Sequence, residues 1–184
     1  PTGTYNYLLN YHGLTGEKIS QKILKFFQKQ KFDKWLKKMS LFKSISNYKN
    51  NVALISELTG PLTYKDLIKK TDTIQKYIPE RSLVFLISKN TAAPLICYIA
   101  SIRNNCVVML VDIKTNITDI FNLFKTYEPS FLIAPIDWLK NSKTDGLTIL
   151  ENIYDYSICR TSYQQFPKMN KDLSVLLPTS GSMG

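Results

Sequence analysis

Short, wholly apolar runs alternate with longer helical patterns along most of the chain, and this alternation limits the possible folds more than any other feature. Three runs of strand length carry no charged residue: Leu83–Ser88, Val107–Val111 and Phe131–Ala134. Strands that are apolar on both faces are typical of parallel sheets that helices cover on both sides. The sequence therefore predicts an α/β fold with a mainly parallel sheet, helices on both faces and right-handed crossovers.

Helix and turn signals separate these runs. Thr63 with Asp66 three residues later has the pattern of a capping box, and Pro94 suits the first turn of a helix. The predicted helices are Tyr64–Tyr77, Asn90 or Thr91 to about Arg103, and about Thr118–Tyr127. The tripeptide Thr59-Gly60-Pro61 predicts a turn. Further predicted strands are Val52–Glu57, Leu147–Leu150, Ser157–Arg160 and Leu173–Leu177.

The composition excludes several classes of protein. Of the 184 residues, 44% are apolar and 21% charged, which is neither disordered nor low-complexity usage. No apolar run reaches the ~18 residues of a membrane-spanning helix. Cys97, Cys106 and Cys159 have no paired spacing, which argues against a disulfide framework or a zinc site. No secretion signal is recognisable, so we expect a soluble, cytoplasmic protein.

Most of the net charge of +10 lies in the first 50 residues, which contain ten lysines and two acidic residues, Glu17 and Asp33. Between Glu17 and Lys43, apolar residues recur at three- and four-residue steps, which predicts one or two amphipathic helices. We therefore divide the chain into a basic helical segment, 1–50, and an α/β unit, 51–184. The lysine-rich face fits a solvated surface better than an anionic membrane surface, which stays open as an alternative. Nucleic-acid binding is not expected, because the basic stretch lacks Arg.

The last predicted strand leads into a segment rich in hydroxyls and glycines: Thr179, Ser180, Gly181, Ser182, Met183 and Gly184. Glycines let backbone N–H groups approach an anion, and hydroxyls add further donors, so this is a candidate phosphate-binding loop. Ordinary flexible turns use the same residues, and that alternative stays open. A Walker loop is excluded because Gly-Lys-Ser/Thr is absent. A hydrolase elbow at Ser182 is excluded because Ser180 replaces its glycine and the only histidine, His12, precedes it.

Thr179–Gly184 resembles the Thr-Ser-Gly-Ser-Thr-Gly phosphate loop of the adenylate-forming superfamily, which includes acyl-CoA synthetases, luciferase-like enzymes and peptide-synthetase adenylation domains. Leu62-Thr63-Tyr64 followed by Asp66-Leu67 is similar to the family's Leu-Thr-Tyr-x-Glu-Leu signature. The segment Ile102–Asp112 is similar to its Leu-x-Ala-Gly-Ala-x-x-Val-Pro-Leu-Asp motif. Because the order and spacing of all three match, the resemblance is more specific than any one motif. It covers about Val52–Gly184.

Four residues depart from these motifs. Asn104 and Asn105 stand where small residues are usual, and Leu110 stands where the family has Pro. Met183 replaces the second Thr of the loop and removes a hydroxyl from it. If that hydroxyl is used by the family, its loss costs about 1.5 to 3 kcal/mol of phosphate binding.

The resemblance implies an ATP-dependent ligase that activates a carboxylic acid as an acyl-adenylate and passes it to an acceptor. The implied cofactors are ATP and Mg²⁺, and the acceptor is an amine or the thiol of CoA or a carrier protein. The implied ATP-binding residues are Thr179, Ser180, Gly181, Ser182 and Gly184. No catalytic or metal-ligating residue is predicted in this chain.

In the family, the adenine pocket, a ribose-binding Asp, a magnesium-contacting acidic residue and a Lys on a mobile domain all follow the loop. We therefore expect the chain to be an N-terminal portion that is inactive by itself. The alternative is a noncatalytic relative that docks through its basic helix on a membrane surface or an acidic partner.

Overall fold

The computed structural model describes residues 45–142, 146–163 and 169–178, and it confirms the predicted α/β fold. A short 3-10 helix, Ser46–Tyr48, precedes the first strand. The strands are β1 (Val52–Ser56), β2 (Gly60–Thr63), β3 (Leu83–Ser88), β4 (Val107–Asp112), β5 (Phe131–Pro135), β6 (Thr148–Ile153), β7 (Tyr156–Arg160) and β8 (Val175–Leu176). The helices are α1 (Tyr64–Gln75), α2 (Ala92–Arg103), α3 (Ile117–Tyr127) and α4 (Ile136–Asn141).

Six of these strands form one sheet in the order β6-β7-β5-β3-β4-β8. The last four strands in this order, β5, β3, β4 and β8, run parallel to one another. Strands β6 and β7 add an antiparallel hairpin beside β5. The prediction of a mainly parallel sheet is therefore confirmed. Leu83 pairs with Val107 and Ser88 with Asp112, so β3 and β4 begin and end at the same level.

Alternate residues of the central strands pack against different helices. Val84 and Leu86 belong to the core that α1 and α2 cover, whereas Phe85 and Ile87 belong to the core under α3 and α4. Because both faces are buried, every second residue of β3 has to be apolar on each side, which accounts for the uninterrupted apolar run. Helices on both faces are thus confirmed.

The start of α1 is as the sequence predicts. The N–H of Asp66 donates to Thr63 Oγ1 at 3.2 Å, and the N–H of Thr63 donates to Asp66 Oδ2 at 3.1 Å. This reciprocal pair is a capping box, which satisfies two donors at the helix start. The Thr63 hydroxyl also donates to the same carboxylate oxygen at 2.6 Å.

The predicted turn at Thr59-Gly60-Pro61 is only partly correct, because Gly60 begins β2. This strand pairs antiparallel with β1, with Ser56 opposite Gly60 and Ile55 opposite Pro61. Gly60 has φ of +65°, which glycine adopts without strain, and that conformation turns the chain directly into the strand. Pro61 is tolerated because a two-stranded sheet leaves one side of each strand without a partner.

The turn between α2 and β4 accounts for a departure from the family motif. Asn105 has φ of +54°, the left-handed region that favours glycine, and it stands where the motif has Gly. Asparagine is among the few other residues that adopt this conformation readily. The departure therefore preserves the turn.

Several remaining expectations concern the chain as a whole. Cys97, Cys106 and Cys159 are free and buried. Within residues 45–142, 146–163 and 169–178, no helix is long and apolar enough to cross a membrane. The basic helix of segment 1–50 falls almost wholly outside the described residues, and the proposed division at residues 50 and 51 stays a prediction.

Candidate functional site

Strand β8 precedes the candidate phosphate-binding loop in the sequence, so its direction shows towards which edge of the sheet the chain runs before that loop. This strand runs parallel to β4, with Val175 beside Val108 and Leu176 beside Met109. The chain therefore leaves β8 towards the edge of the sheet at which β3 and β4 end. The residues that we predict to bind phosphate begin three positions after Leu176, the last residue of β8, and all lie outside the described residues: Thr179, Ser180, Gly181, Ser182 and Gly184.

The connections at this carboxyl edge leave the sheet towards opposite faces. From β3 the chain continues into α2 on one face, and from β4 and β5 it continues into α3 and α4 on the other. In open α/β sheets, a crevice opens at the carboxyl ends of neighbouring strands whose connections diverge, and ligands bind in that crevice. The edge towards which β8 runs has this arrangement.

An ion pair crosses the end of β5 at the same edge. Lys89, the first residue after β3, places its Nζ 2.6 Å from Oδ2 of Asp155 in the turn between β6 and β7. The two side chains are 34% and 30% exposed, so water weakens the pair only in part. The Lys89 ammonium also lies 5.6 Å from the centroid of the Tyr156 ring. Because its charge is already balanced, Lys89 is not a free cation for a phosphate.

Tyr156 lies beneath this ion pair and is fully buried. Its hydroxyl accepts a hydrogen bond from the Lys89 backbone N–H at 3.2 Å. Burial raises the pKa of Tyr156 far above its usual value, so the phenol stays neutral and does not serve as a base. Tyr156 therefore holds the chain after β3 in place.

Two backbone N–H groups donate hydrogen bonds that order the turn at the end of β4. The Asp112 carboxylate accepts a hydrogen bond from the Lys114 N–H at 2.8 Å, and the Ile113 N–H donates to the Ser88 carbonyl at 3.0 Å. These contacts order the turn that follows the strand and leave the Asp112 side chain exposed. The family-like motif Ile102–Asp112 thus forms the end of α2, the left-handed turn and β4.

Two cavities lie elsewhere on the molecule. One, of 430 Å³, separates α1 from β6 and includes Lys69, Lys70 and Glu151 in its wall. Glu151 accepts a hydrogen bond from the Tyr77 hydroxyl at 2.7 Å, which lowers the pKa of the carboxylate, and Lys70 Nζ lies 4.6 Å from the Tyr154 ring centroid. The other, of 290 Å³, lies between α4 and the β6–β7 hairpin. Among the described residues, no three His, Cys, Asp or Glu side chains are close enough to hold a metal ion.

The group formed by Lys89, Asp155 and Tyr156 is not among the predictions from the sequence. A polar residue directly after an apolar strand is a usable signal for Lys89, because such residues lie at the carboxyl edge of a parallel sheet. No local signal identifies Asp155, since its approach to Lys89 depends on β7 pairing with β5.

No protein-family model and no curated protein sequence matches the chain. Solved structures do match. A four-domain nonribosomal peptide synthetase, holo-AB3403, bound to AMP and glycine, is 18% identical over 56% of this chain and 8% of its own, with a TM-score of 0.50. The N-terminal subdomain of Klebsiella oxytoca NpsA is 18% identical over 50% of this chain and 26% of its own, with a TM-score of 0.46. A luciferase-like enzyme from the nonluminescent mealworm Zophobas morio is 21% identical over 50% of this chain and 24% of its own, with a TM-score of 0.45.

These matches are to adenylate-forming enzymes, and the described fold is similar to their N-terminal part. The resemblance predicted from the sequence motifs is confirmed at the level of the fold. The match to the peptide synthetase, with the highest of the three TM-scores, carries this conclusion, and at 18% identity it establishes the fold alone. The matched region spans about a quarter or less of each of the three structures.

Proposed function

We propose that this chain, whose fold is similar to the N-terminal part of adenylate-forming enzymes, belongs to an ATP-dependent ligase that activates a carboxylic acid. The course of β8 is the observation that supports the proposal most. The strand runs parallel to β4 and therefore heads towards the carboxyl edge of the parallel strands, where α/β proteins bind phosphates, and the hydroxyl- and glycine-rich segment follows it in the sequence. The sequence motifs support it independently, because their order and spacing agree with those of the family.

In the proposed reaction, a carboxylate oxygen of the substrate attacks the α-phosphorus of ATP. The bond from that phosphorus to the bridging oxygen breaks, and pyrophosphate leaves with the bonding electrons. An amine, or the thiol of CoA or a carrier protein, then attacks the acyl carbon and gives up its proton, and the bond from that carbon to the phosphate oxygen breaks so that AMP leaves. Catalysis of this kind depends on positioning the phosphates and stabilising their charge.

The proposed role of the terminal segment is to bind the departing pyrophosphate. Thr179, Ser180 and Ser182 would donate from their hydroxyls, and Gly181 and Gly184 would allow their backbone N–H groups to approach. Met183 would contribute only its backbone.

We propose that Mg²⁺ reaches the site as its complex with ATP. The described residues provide no cluster of ligands for a resident ion. Magnesium commonly keeps several waters and binds through substrate phosphates with one or two carboxylates. The ion would supply electrostatic stabilisation of the charge on the phosphates.

The matched structures are much longer than the region that this chain shares with them. We therefore propose that the acid pocket and the nucleoside pocket require further segments, and that the 184 residues alone do not catalyse the reaction. The noncatalytic alternative rests on the basic segment, most of which lies outside the described residues, so it stays a hypothesis. The cytoplasmic location also stays a prediction.

The test is ATP–pyrophosphate exchange by the protein that contains this chain, with a broad panel of carboxylic acids. We expect exchange that depends on one class of acid, and none from the 184 residues alone. Ser182→Ala should lower exchange about 10- to 100-fold, the effect of losing one hydrogen bond to a charged group. Ser174→Ala, an exposed serine before β8, is the matched control and should leave exchange unchanged. Absence of exchange with every acid would refute the proposal.

A further inference from the structure

We infer that Arg81 is a positioning residue that anchors β8 to the sheet. By doing so it sets the point from which the chain continues towards Thr179–Gly184, called the terminal loop below. The part of this inference that concerns ATP rests on the proposed function. The part that concerns β8 rests only on the described contacts.

The Arg81 guanidinium bridges two segments that are far apart in the sequence. Its Nη2 donates to the Asn170 carbonyl at 2.8 Å, and its Nη1 donates to the Leu173 carbonyl at 3.2 Å. Both carbonyls belong to the segment that leads into β8. The same Nη1 donates to the Asn105 carbonyl at 3.0 Å, in the turn between α2 and β4. One side chain therefore ties the approach to β8 to the turn that begins its neighbouring strand.

Apart from Arg81, the described contacts of β8 are its pairing with β4 and the packing of Leu176 against the core under α3 and α4. The strand has two residues, both only half-buried, and it lies at the end of the sheet beside β4. Before it, the Val108 N–H donates to the Ser174 carbonyl at 2.9 Å. A strand this short with a single neighbour is far below the usual length and is prone to local opening. The two hydrogen bonds from Arg81 to the Asn170 and Leu173 carbonyls are thus a substantial addition to its attachment.

The two turns that contain Arg81 and Asn105 are held in position by hydrogen bonds from neighbouring side chains. Arg81 and Asn105 both have left-handed backbone conformations, with φ of +61° and +54°. Such conformations are uncommon outside glycine and persist where surrounding contacts determine them. Here the Asn104 amide donates to the Ile78 carbonyl at 2.6 Å, and the Asn105 amide donates to Glu80 Oε1 at 2.8 Å. These bonds hold the two turns together and aim the guanidinium at the approach to β8.

The position of Arg81 separates its role from that of a binding residue. Arg81 lies two residues before Leu83, the first residue of β3, and therefore at the amino edge of the sheet, whereas β8 runs towards the carboxyl edge. Arg81 therefore acts on the loop through the register of β8 against β4. Loss of the anchor should let β8 separate from β4 while the rest of the sheet stays formed.

Amide hydrogen exchange of the 184-residue chain tests this directly, because adjacent residues of β4 report on different neighbours. The Val108 N–H is bonded to Ser174 beside β8, and the Val107 N–H is bonded to Ser82 beside β3. Arg81→Lys keeps the charge but cannot reach three carbonyls. We expect exchange at Val108 to accelerate about tenfold or more relative to Val107, as for loss of one ordinary hydrogen bond.

Two further variants distinguish anchoring from general destabilisation. Arg103→Lys removes another arginine contact, to the Asp72 carboxylate at 2.8 Å, without touching β8, and it should leave the Val108-to-Val107 ratio unchanged. Arg81→Gly removes the anchor and also relieves the left-handed backbone, so it should accelerate Val108 exchange even if Arg81→Lys fails to fold. Equal acceleration at Val107 and Val108, or none at Val108, in the Arg81 variants would overturn the inference.

The link to ATP is tested by pyrophosphate exchange in the protein that contains this chain. Arg81→Lys should raise the KM for ATP severalfold with an unchanged unfolding midpoint, since a displaced loop binds phosphate less well. Unchanged kinetics together with accelerated Val108 exchange would refute the effect on ATP and leave the anchoring established. If the unaltered protein shows no ATP–pyrophosphate exchange, the proposed function is refuted. Amide hydrogen exchange then remains the test of whether Arg81 anchors β8.

Discussion

Two adjacent residues of α2 provide a matched test of how this helix packs on the sheet. Ile96 is fully buried against the parallel strands, whereas Leu95 is 46% exposed. Truncating either residue to Ala removes three carbon atoms from the same helix. At about 0.8 kcal/mol for each buried carbon, Ile96→Ala loses about 2.4 kcal/mol of transfer free energy, and the cavity left behind raises the range to about 2 to 5 kcal/mol. Leu95→Ala loses about half the transfer free energy, roughly 1.2 kcal/mol, and solvent fills the space.

Urea unfolding followed by far-ultraviolet circular dichroism measures both effects. With a slope of about 1 to 3 kcal/mol per molar urea, Ile96→Ala should lower the midpoint by roughly 1 to 2 M, at least twice the change for Leu95→Ala. Ile is a slightly poorer helix former than Leu, so the change in helix propensity favours Ile96→Ala, and a larger loss of stability in that variant reports on burial. Equal losses, or a larger loss for Leu95→Ala, would show that α2 does not cover the sheet with this face.

Three further outcomes are expected. Thr63→Ala should cost about 1 kcal/mol of unfolding free energy. The Thr63 contacts lower the pKa of Asp66, so the stabilisation that comes from the ionised carboxylate is present at neutral pH and is lost as pH falls through the folded-state pKa; NMR titration should show that pKa rising in the variant. Burial raises the pKa of Cys97 to about 12, so alkylation at pH 8 should proceed only on unfolding, and rapid labelling of the native protein would contradict this. Tyr77→Phe should raise the pKa of Glu151, and an unchanged titration would exclude their hydrogen bond.

The elements that the sequence predicted best are those whose patterns come from burial on both faces. The predicted run Leu83–Ser88 is β3 to the residue, because a strand buried on both sides must be apolar throughout. The start of α1 was predictable because its cap is local in sequence. By contrast, β2 contains Gly60 and Pro61, which ordinarily indicate a turn, and its pairing with β1 overrides that preference. The six-residue α4 was missed because it follows β5 directly and has no side-chain cap.

The candidate site was predictable in its chemistry and only partly in its geometry. The hydroxyl- and glycine-rich segment could be identified from residue types, since the chemistry of phosphate binding depends on them. The course of β8 towards the carboxyl edge depends on its pairing with β4, across about 65 residues of sequence, and no local pattern encodes that choice of neighbour. The same applies to Lys89 and Asp155, which meet only because the β6–β7 hairpin lies beside β5.

The ion pair between Lys89 and Asp155 has a mechanical consequence. A mixed sheet has a seam where its antiparallel portion meets its parallel portion, here between β7 and β5. The ion pair fastens one end of that seam, and at the other end the buried Thr161 hydroxyl donates to the Pro129 carbonyl at 2.6 Å. Side-chain contacts at both ends therefore add to the backbone ladder that holds the hairpin against β5. Displacing the hairpin would break the contact with Lys89, which directly follows β3, one of the strands whose ends form the crevice.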